Sequence, residues 1–224
     1  MASVKKGRVG IILIAGGNSS RLGHMKQMVE IEGKTFLRNS FEIAKQLSPF
    51  TITILGYNQE KLTSQVEEDK CLFNPNWPIG MGTSIALGVK HYCDNSEDNN
   101  KPEIDGVMIM QCDQYRLAMN DYSNLIEVWR KSSKGIVASQ YVETGSAVGD
   151  EKSTNTSSNK VTIGAPAIFS EFYYDKLLQL KEKGAKALLK QYSKDVEIVK
   201  LDDATFDLDT DEDLHTFNLY LEEL

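Results

Sequence analysis

Cysteine and proline are scarce in this chain, at three and five of 224 residues. Cys71, Cys93 and Cys112 are scattered, form no CxxC pair and supply no disulfide framework, which suits a reducing compartment. Few prolines and only 16 glycines argue against a low-complexity or collagenous chain. No apolar run approaches the ~20 residues of a membrane span. The opening MASVKKGRVG has no apolar core of a secretory signal, so a cytoplasmic location is expected and a membrane partner is not. Positive charge is not in excess either: 25 Lys and Arg face 32 Asp and Glu, a net of -7. Nucleic acid is therefore not an expected partner, because phosphate contacts need a basic surface. The length suits one α/β domain over residues 1–224, large enough to hold a core without disulfide or metal staples.

The charge that is present is unevenly spread. Residues 1–45 carry eight Lys and Arg against three acids, whereas residues 202–224 carry nine acids and no Lys or Arg. Two solvated faces would account for this asymmetry. The glycines accompanying the basic end and the DxD in the acidic end give reason to look further.

Short apolar runs rich in β-branched residues predict buried strands at 8–15, 51–56, 71–73, 106–112, 135–141, 165–169 and 196–201. Helices are predicted from Thr35 to about Leu47, over 82–92, around 122–129, over 171–182 and 184–193, and from a capping-box-like Thr210 and Asp213 onward. The segment 16–34 reads as one long polar, glycine-bearing connection, and 143–160 as a flexible surface excursion. Buried strands alternating with helices call for an open, mostly parallel sheet covered on both faces. Ligands bind such sheets outside the carboxyl ends of the strands. That rule selects the loop after Ala15, the residues after Cys112 and the turn after Phe206.

Each place holds candidate chemistry. In Ala15-Gly16-Gly17-Asn18-Ser19, backbone amides of a glycine-rich turn offer an anion nest, with Arg21 and Lys26 adding positive charge. This is neither G-x-G-x-x-G nor a Walker loop, since Gln27 follows the lysine. A surface loop with two solvated cations fits the same residues. Asp113, just past an apolar strand, is placed to hold a hard cation such as Mg²⁺, or else to cap the next turn. Asp207 and Asp209 flank Leu208 and face one way by alternation, with helix N-terminal charge compensation as the plain alternative. The segment Asn74-Pro75-Asn76-Trp77-Pro78-Ile79-Gly80-Met81-Gly82-Thr83-Ser84 is a stiff loop opening into a helix. Its backbone and Ser84 are candidates for a base edge, and a mere connector is the alternative. His24 reads as loop filling, and His91 and His215 as helix residues rather than metal ligands.

In this order, the segments resemble the MobA-like molybdenum cofactor nucleotidyltransferase family, from about Gly10 to Leu214. The resemblance is carried by A-G-G-x-S-x-R-x-G-x-x-K at Ala15 to Lys26 and an N-P-x-W-x-x-G-M-x-x-S-like stretch at Asn74 to Ser84. Asp113-Gln114-Tyr115 stands for a D-Q-P turn, and Gly164-Ala165-Pro166 for G-x-P. Gly184 to Leu189 stands for G-A-R-x-L-L, with Lys186 in place of the arginine. Asp207 to Leu214 stands for D-[IL]-D-T-x-x-D-L.

The resemblance implies a three-layer, Rossmann-like sheet of the nucleotide-diphospho-sugar transferase type. It implies a nucleotide held in the amino-terminal half by Ala15, Gly16, Gly17, Asn18, Ser19, Arg21, Lys26, Asn74, Gly80, Met81 and Ser84. The acceptor would lie in the carboxyl-terminal half, at Gly164, Pro166, Gly184 and Lys186. Arg21, Lys26 and Asp113 would be catalytic, with Asp113 and Asp209 holding Mg²⁺. Members transfer a nucleotide to molybdopterin and release pyrophosphate, in branches that use CTP or GTP. The Gly80–Ser84 loop and the Gly184–Leu189 element are more like the cytidylyl branch, so CTP and a molybdopterin acceptor are expected, with a molybdoenzyme or its chaperone as a further partner. Guanylyl transfer, another phosphorylated acceptor such as a sugar or polyol phosphate, and a non-catalytic module for nucleotide or cofactor delivery remain alternatives.

Overall fold

A computed structural model of the protein describes residues 7–19, 22–96, 103–143 and 160–222. Arg21 and most of the 143–160 excursion lie outside these residues. The chain order begins with β1 (Val9–Ala15), the two-residue strands β2 (Glu30–Ile31) and β3 (Lys34–Thr35), α1 (Phe36–Leu47), β4 (Thr51–Leu55), α2 (Gln59–Leu62) and β5 (Cys71–Phe73). Next come α3 (Met81–Ser96), β6 (Gly106–Gln111), α4 (Met119–Lys131), β7 (Ile136–Glu143) and β8 (Lys160–Ser170). The chain closes with α5 (Tyr174–Leu178), α6 (Lys186–Gln191), β9 (Val196–Lys200) and α7 (Asp211–Glu222).

Seven strands form one sheet in the order β5-β4-β1-β6-β8-β7-β9. All pairings are parallel except those of β8, which runs antiparallel to both β6 and β7. The expected open, mostly parallel sheet is present, with one reversed strand. β1 is buried throughout, and its alternate residues feed two cores. Ile11 and Leu13 join Leu37, Phe41, Leu125 and Trp129 on the α1/α4 face. Ile12 and Ile14 join Ile85, Val89, Leu177 and Leu189 on the α3/α5/α6 face. Period-two alternation within a strand is what lets one apolar run seal both layers.

The 16–34 segment is more structured than its polarity suggests. Lys26–Met28 form a 3-10 turn, and β2 and β3 make a small antiparallel hairpin. Its two central residues, Glu32 and Gly33, both have positive φ, the geometry that a two-residue hairpin needs. Thr35 then caps α1 by accepting a bond from the Arg38 amide at 3.1 Å. A second departure lies near the carboxyl terminus. Phe206 does not end a strand: β9 stops at Lys200, a 3-10 turn spans Asp202–Thr205, and Phe206 to Thr210 are non-strand connection. The predicted cap of α7 is present, with the Asp213 carboxylate accepting from the Thr210 amide at 2.8 Å and the Asp213 amide donating to Thr210 Oγ1 at 3.2 Å. Among the described residues no helix is long and apolar enough to cross a membrane.

Trp129 is fully buried between α4 and the sheet, and a β-carbon at Gly106 would drive into its indole ring. Gly106→Ala is therefore expected to lower unfolding stability by about 1–3 kcal/mol through overpacking, read from the urea midpoint at unchanged slope.

Candidate active site

The strand order places a crevice before any side chain is considered. From β1 the chain moves to β4 and β5 on one side, then returns to β6 on the other. The order reverses between β1 and β6, and such a switch point leaves an open crevice at the strands' carboxyl ends. The glycine loop leaves β1 on one side of this crevice, and Asp113 follows β6 on the other.

Within the loop, Gly16 is buried and Gly17 and Asn18 are exposed. The loop is held from beneath by Gln27, which is 1% exposed and donates from Nε2 to the Ala15 carbonyl at 3.1 Å and the Gly17 carbonyl at 2.7 Å. With the carbonyls turned toward Gln27, the loop keeps a fixed shape. Gln27 was not among the expected site residues; its position directly after the lysine of the motif is the signal that could have found it. Ser19 has a φ of 50° and accepts at Oγ from the Lys26 amide at 3.2 Å, closing the loop on itself.

Lys26 joins the two ends of the chain. Its ammonium pairs with Asp113 Oδ2 and, at 2.5 Å, with Asp209 Oδ1. Burial works against the Lys26 charge, but the carboxylates of Asp113 and Asp209 outweigh it and hold the ammonium above the usual lysine range. The Asp113 side chain is 4% exposed, and its second oxygen is buried without a hydrogen-bond partner. Asp207 completes the acidic group. Burial, then the charges of Asp113 and Asp209, push its carboxyl up to about 7; Lys26 opposes this and Asp213 adds to it. Asp207 thus lies within the same candidate cluster, whereas the resemblance implies a role for Asp209 and not for Asp207.

Gln114 fixes the loop that carries Asp113. Its Nε2 donates to the Ala165 carbonyl at 3.0 Å and to the Ala204 carbonyl at 2.9 Å, tying the end of β6 to β8 and to the turn before Asp207. Tyr115, which stands where the family pattern has proline, is buried against Phe36, Phe217 and Tyr220. The Arg116 guanidinium lies 3.7 Å from the Phe206 ring centroid and 4.5 Å from that of Tyr220. The aromatic cluster thus seats α7 beside the acidic loop.

The Asn74–Ser84 segment opens into α3, and its polar side chains are largely turned inward. Asn74 is 2% exposed and Ser84 3% exposed, and Asn74 Nδ2 donates to both Thr83 Oγ1 at 2.8 Å and Ser84 Oγ at 2.9 Å. These polar groups clamp the start of α3. Gly80 and Gly82 form a packing seam: a β-carbon at Gly80 would collide with the Glu182 carbonyl, and one at Gly82 would stand 2.5 Å from that of Lys183. Ser84 nevertheless borders the glycine loop, 3.4 Å from where a β-carbon on Gly16 would stand. Met81, 41% exposed, shares a cavity with Gly164, Gly184 and Lys186. Pro166 is buried, and its carbonyl accepts from Ser139 Oγ at 2.7 Å. His91 and His215 lie on α3 and α7.

The description "MobA-like NTP transferase domain" matches residues 10–196, most of the chain and all of this crevice except Asp207 and Asp209. The chain belongs to the MobA-like NTP transferase family. A probable molybdenum cofactor guanylyltransferase of Rhodopirellula baltica is 25% identical over 136 residues, spanning 59% of this chain and 61% of that relative. The crystal structure of Rv0371c from Mycobacterium tuberculosis superposes with a TM-score of 0.69 at 20% identity, covering 95% of this chain and 98% of that one. A CMP:2-keto-3-deoxy-manno-octonic acid synthetase complexed with CTP superposes at 0.67 and 15% identity, covering 97% and 100%. These likenesses establish a fold of the nucleotide-diphospho-sugar transferase type for this MobA-like chain.

The Asp207 shift carries a stability consequence. Its folded-state value near 7 lies above the ordinary carboxyl range near 4, so between those values the folded chain holds a proton that the unfolded chain has lost. Stability therefore falls as pH rises from about 4 to 7, by at most about 1.4 kcal/mol per pH unit, and levels off above. Asp207→Asn is expected to flatten that slope in urea melts taken across the window; an unchanged slope would contradict the assignment.

Proposed function

We propose that this MobA-like protein transfers a nucleotide from an NTP to the terminal phosphate of a molybdopterin-type acceptor, releasing pyrophosphate. The observation that carries the reading is the pairing of Lys26 with Asp113 and Asp209 at the mouth of the β1/β6 crevice. Phosphoryl chemistry between two anions needs charge neutralisation and positioning more than it needs a base. The acceptor phosphate, with a second pKa of about 6, is already ionised near neutrality. One of its oxygens forms a bond to the α-phosphorus as the α–β phosphoanhydride bond breaks, and pyrophosphate carries away the electron pair. In this reading the amides of residues 15–19 cradle the triphosphate, and Arg21 and Lys26 neutralise it. The amino-terminal half of a single domain presents the nucleotide, and the carboxyl-terminal half presents the acceptor.

The residues fit a hard divalent cation. Asp113 has a buried oxygen without a partner, Asp209 is half exposed, and the ammonium of Lys26 already rests between their carboxylates as a cation would. Two carboxylates plus substrate phosphates match the usual protein contribution to Mg²⁺. Among the described residues no cluster of three His, Cys, Asp or Glu offers a self-sufficient metal cage. A cation held by Asp113 and Asp209 would supply charge neutralisation at the phosphates. One structural relative, the Rv0371c protein, is known in a complex with manganese, at 19% identity and a TM-score of 0.66.

CTP is the proposed nucleotide, on the likeness of the Gly80–Ser84 and Gly184–Leu189 elements to the cytidylyl branch. GTP is the second reading, favoured by the guanylyltransferase relative. The test is pyrophosphate release from CTP and from GTP with purified molybdenum cofactor and Mg²⁺. Release with CTP well above GTP is expected; the reverse order supports the second reading. Arg21→Ala, Lys26→Ala and Asp113→Asn should each lower turnover by about 10²–10³-fold. Near-normal turnover in all three would overturn the proposed site. Tight nucleotide or cofactor binding with no pyrophosphate under any metal would point instead to a delivery module.

A further inference from the structure

At the carboxyl end of β6, between α3, α6 and the β7/β8 pair, lies a cavity of about 220 Å³. Its walls include Ile85, Ile109, Ala167 and Leu189, and among the described residues its polar side chains are those of Gln111, Tyr141 and Lys186. Gln111 is out of character for its row. Val107, Ile109 and Gln111 occupy alternate positions of β6 and so share one face. The first two are buried in the apolar cluster beneath α3, and the third ends that row in a primary amide. Its side chain makes no hydrogen bond to another described residue. Across the cavity, the Tyr141 hydroxyl lies 2.8 Å from where a β-carbon on Gly164 would stand, so a side chain at that position would displace the phenol.

Few polar groups between apolar walls select the shape and edge of a ligand. A sugar or polyol carries a hydroxyl on nearly every carbon, and each one buried without a partner costs binding. A flat conjugated heterocycle buries its faces against the walls and needs partners only along one edge. A primary amide presents a donor and an acceptor side by side, the complement of a lactam or amidine edge. Gln111 also lies two residues before Asp113, so the cavity and the acidic group both lie at the carboxyl end of β6.

We propose that Gln111 determines the acceptor class, reading the lactam edge of a phosphate-bearing planar heterocycle and rejecting sugar and polyol phosphates. Tyr141 supplies the second polar contact. The proposal rests on the nucleotidyl-transfer reading and adds to it the residue that chooses the acceptor.

The experiment measures binding by calorimetry with the full chain. The probes are a pterin monophosphate, glycerol 3-phosphate, glucose 1-phosphate and, separately, CTP and GTP. The wild type is expected to bind the pterin phosphate at least about 10-fold more tightly than either polyol or sugar phosphate. Gln111→Leu should lower pterin phosphate affinity by about 10–100-fold, the range of one or two lost hydrogen bonds, while nucleotide affinity stays within about 2-fold. Tyr141→Phe should give a smaller loss of the same kind. No pterin phosphate binding, equal binding of all three acceptor probes, or a Gln111→Leu defect in nucleotide binding alone would overturn the proposal. Pyrophosphate release with molybdenum cofactor that is insensitive to Gln111→Leu would overturn only this proposal, whereas absence of release in the wild type would overturn the reading beneath it.

Discussion

The ammonium group of Lys26 lies between two carboxylates far apart in the chain, one from its middle and one from near its carboxyl end, and the site takes its form from that meeting. Asp113 follows the central strand β6, whereas Asp209 lies 183 residues beyond the lysine on the approach to α7. Without the lysine, three acids at 113, 207 and 209 would repel one another in a partly desolvated crevice. Asp207 is pushed toward neutrality by burial and by the charges of its two neighbours, even with the cation present. Gln27 below the glycine loop and Gln114 below the acidic loop hold the two sides in register through bonds to backbone carbonyls. Charge and scaffold are thus separated: the glutamines fix shape, and Lys26 with the aspartates fixes the field.

The same division runs through the rest of the crevice. Asn74 and Ser84 bond each other at the start of α3, and the bare α-carbons of Gly80 and Gly82 let that start pack against the 181–183 backbone. Their contribution is to bring Met81 and Gly184 to one cavity wall. The aromatic group of Phe36, Tyr115, Phe217 and Tyr220, with Arg116 over Phe206, plays the equivalent part for the acidic loop.

Much of this was legible in the sequence because it depends on local pattern. The apolar runs at 9–15 and 106–111 announce strands buried on both faces, and Thr210 with Asp213 announces the α7 cap, through interactions spanning a few residues. The loops after β1 and β6 were found by the same logic, since switch-point chemistry sits just past buried strands. Other features depend on partners distant in sequence. The direction of β8 is not written in its apolar pattern; it follows from β7 and β8 being neighbours in both chain and sheet, a connection that favours antiparallel pairing. The 30–35 hairpin was missed because Glu32, rather than Asn or Asp, occupies a positive-φ turn position. That Asn74 would spend its amide on Ser84, or that Asp207 would be pressed toward neutrality, depends on burial that no spacing reveals.

In the proposed reading, Lys26 occupies with its own charge the place between Asp113 and Asp209 that a divalent cation would share. Titration of Mn²⁺ into the wild type and a Lys26→Met variant without nucleotide, followed by the electron paramagnetic resonance signal of free Mn²⁺, tests it directly. Lys26→Met is expected to bind Mn²⁺ at least about 10-fold more tightly, because a competing unit charge has been removed from between the ligands. Equal or weaker binding by a folded Lys26→Met protein would contradict it.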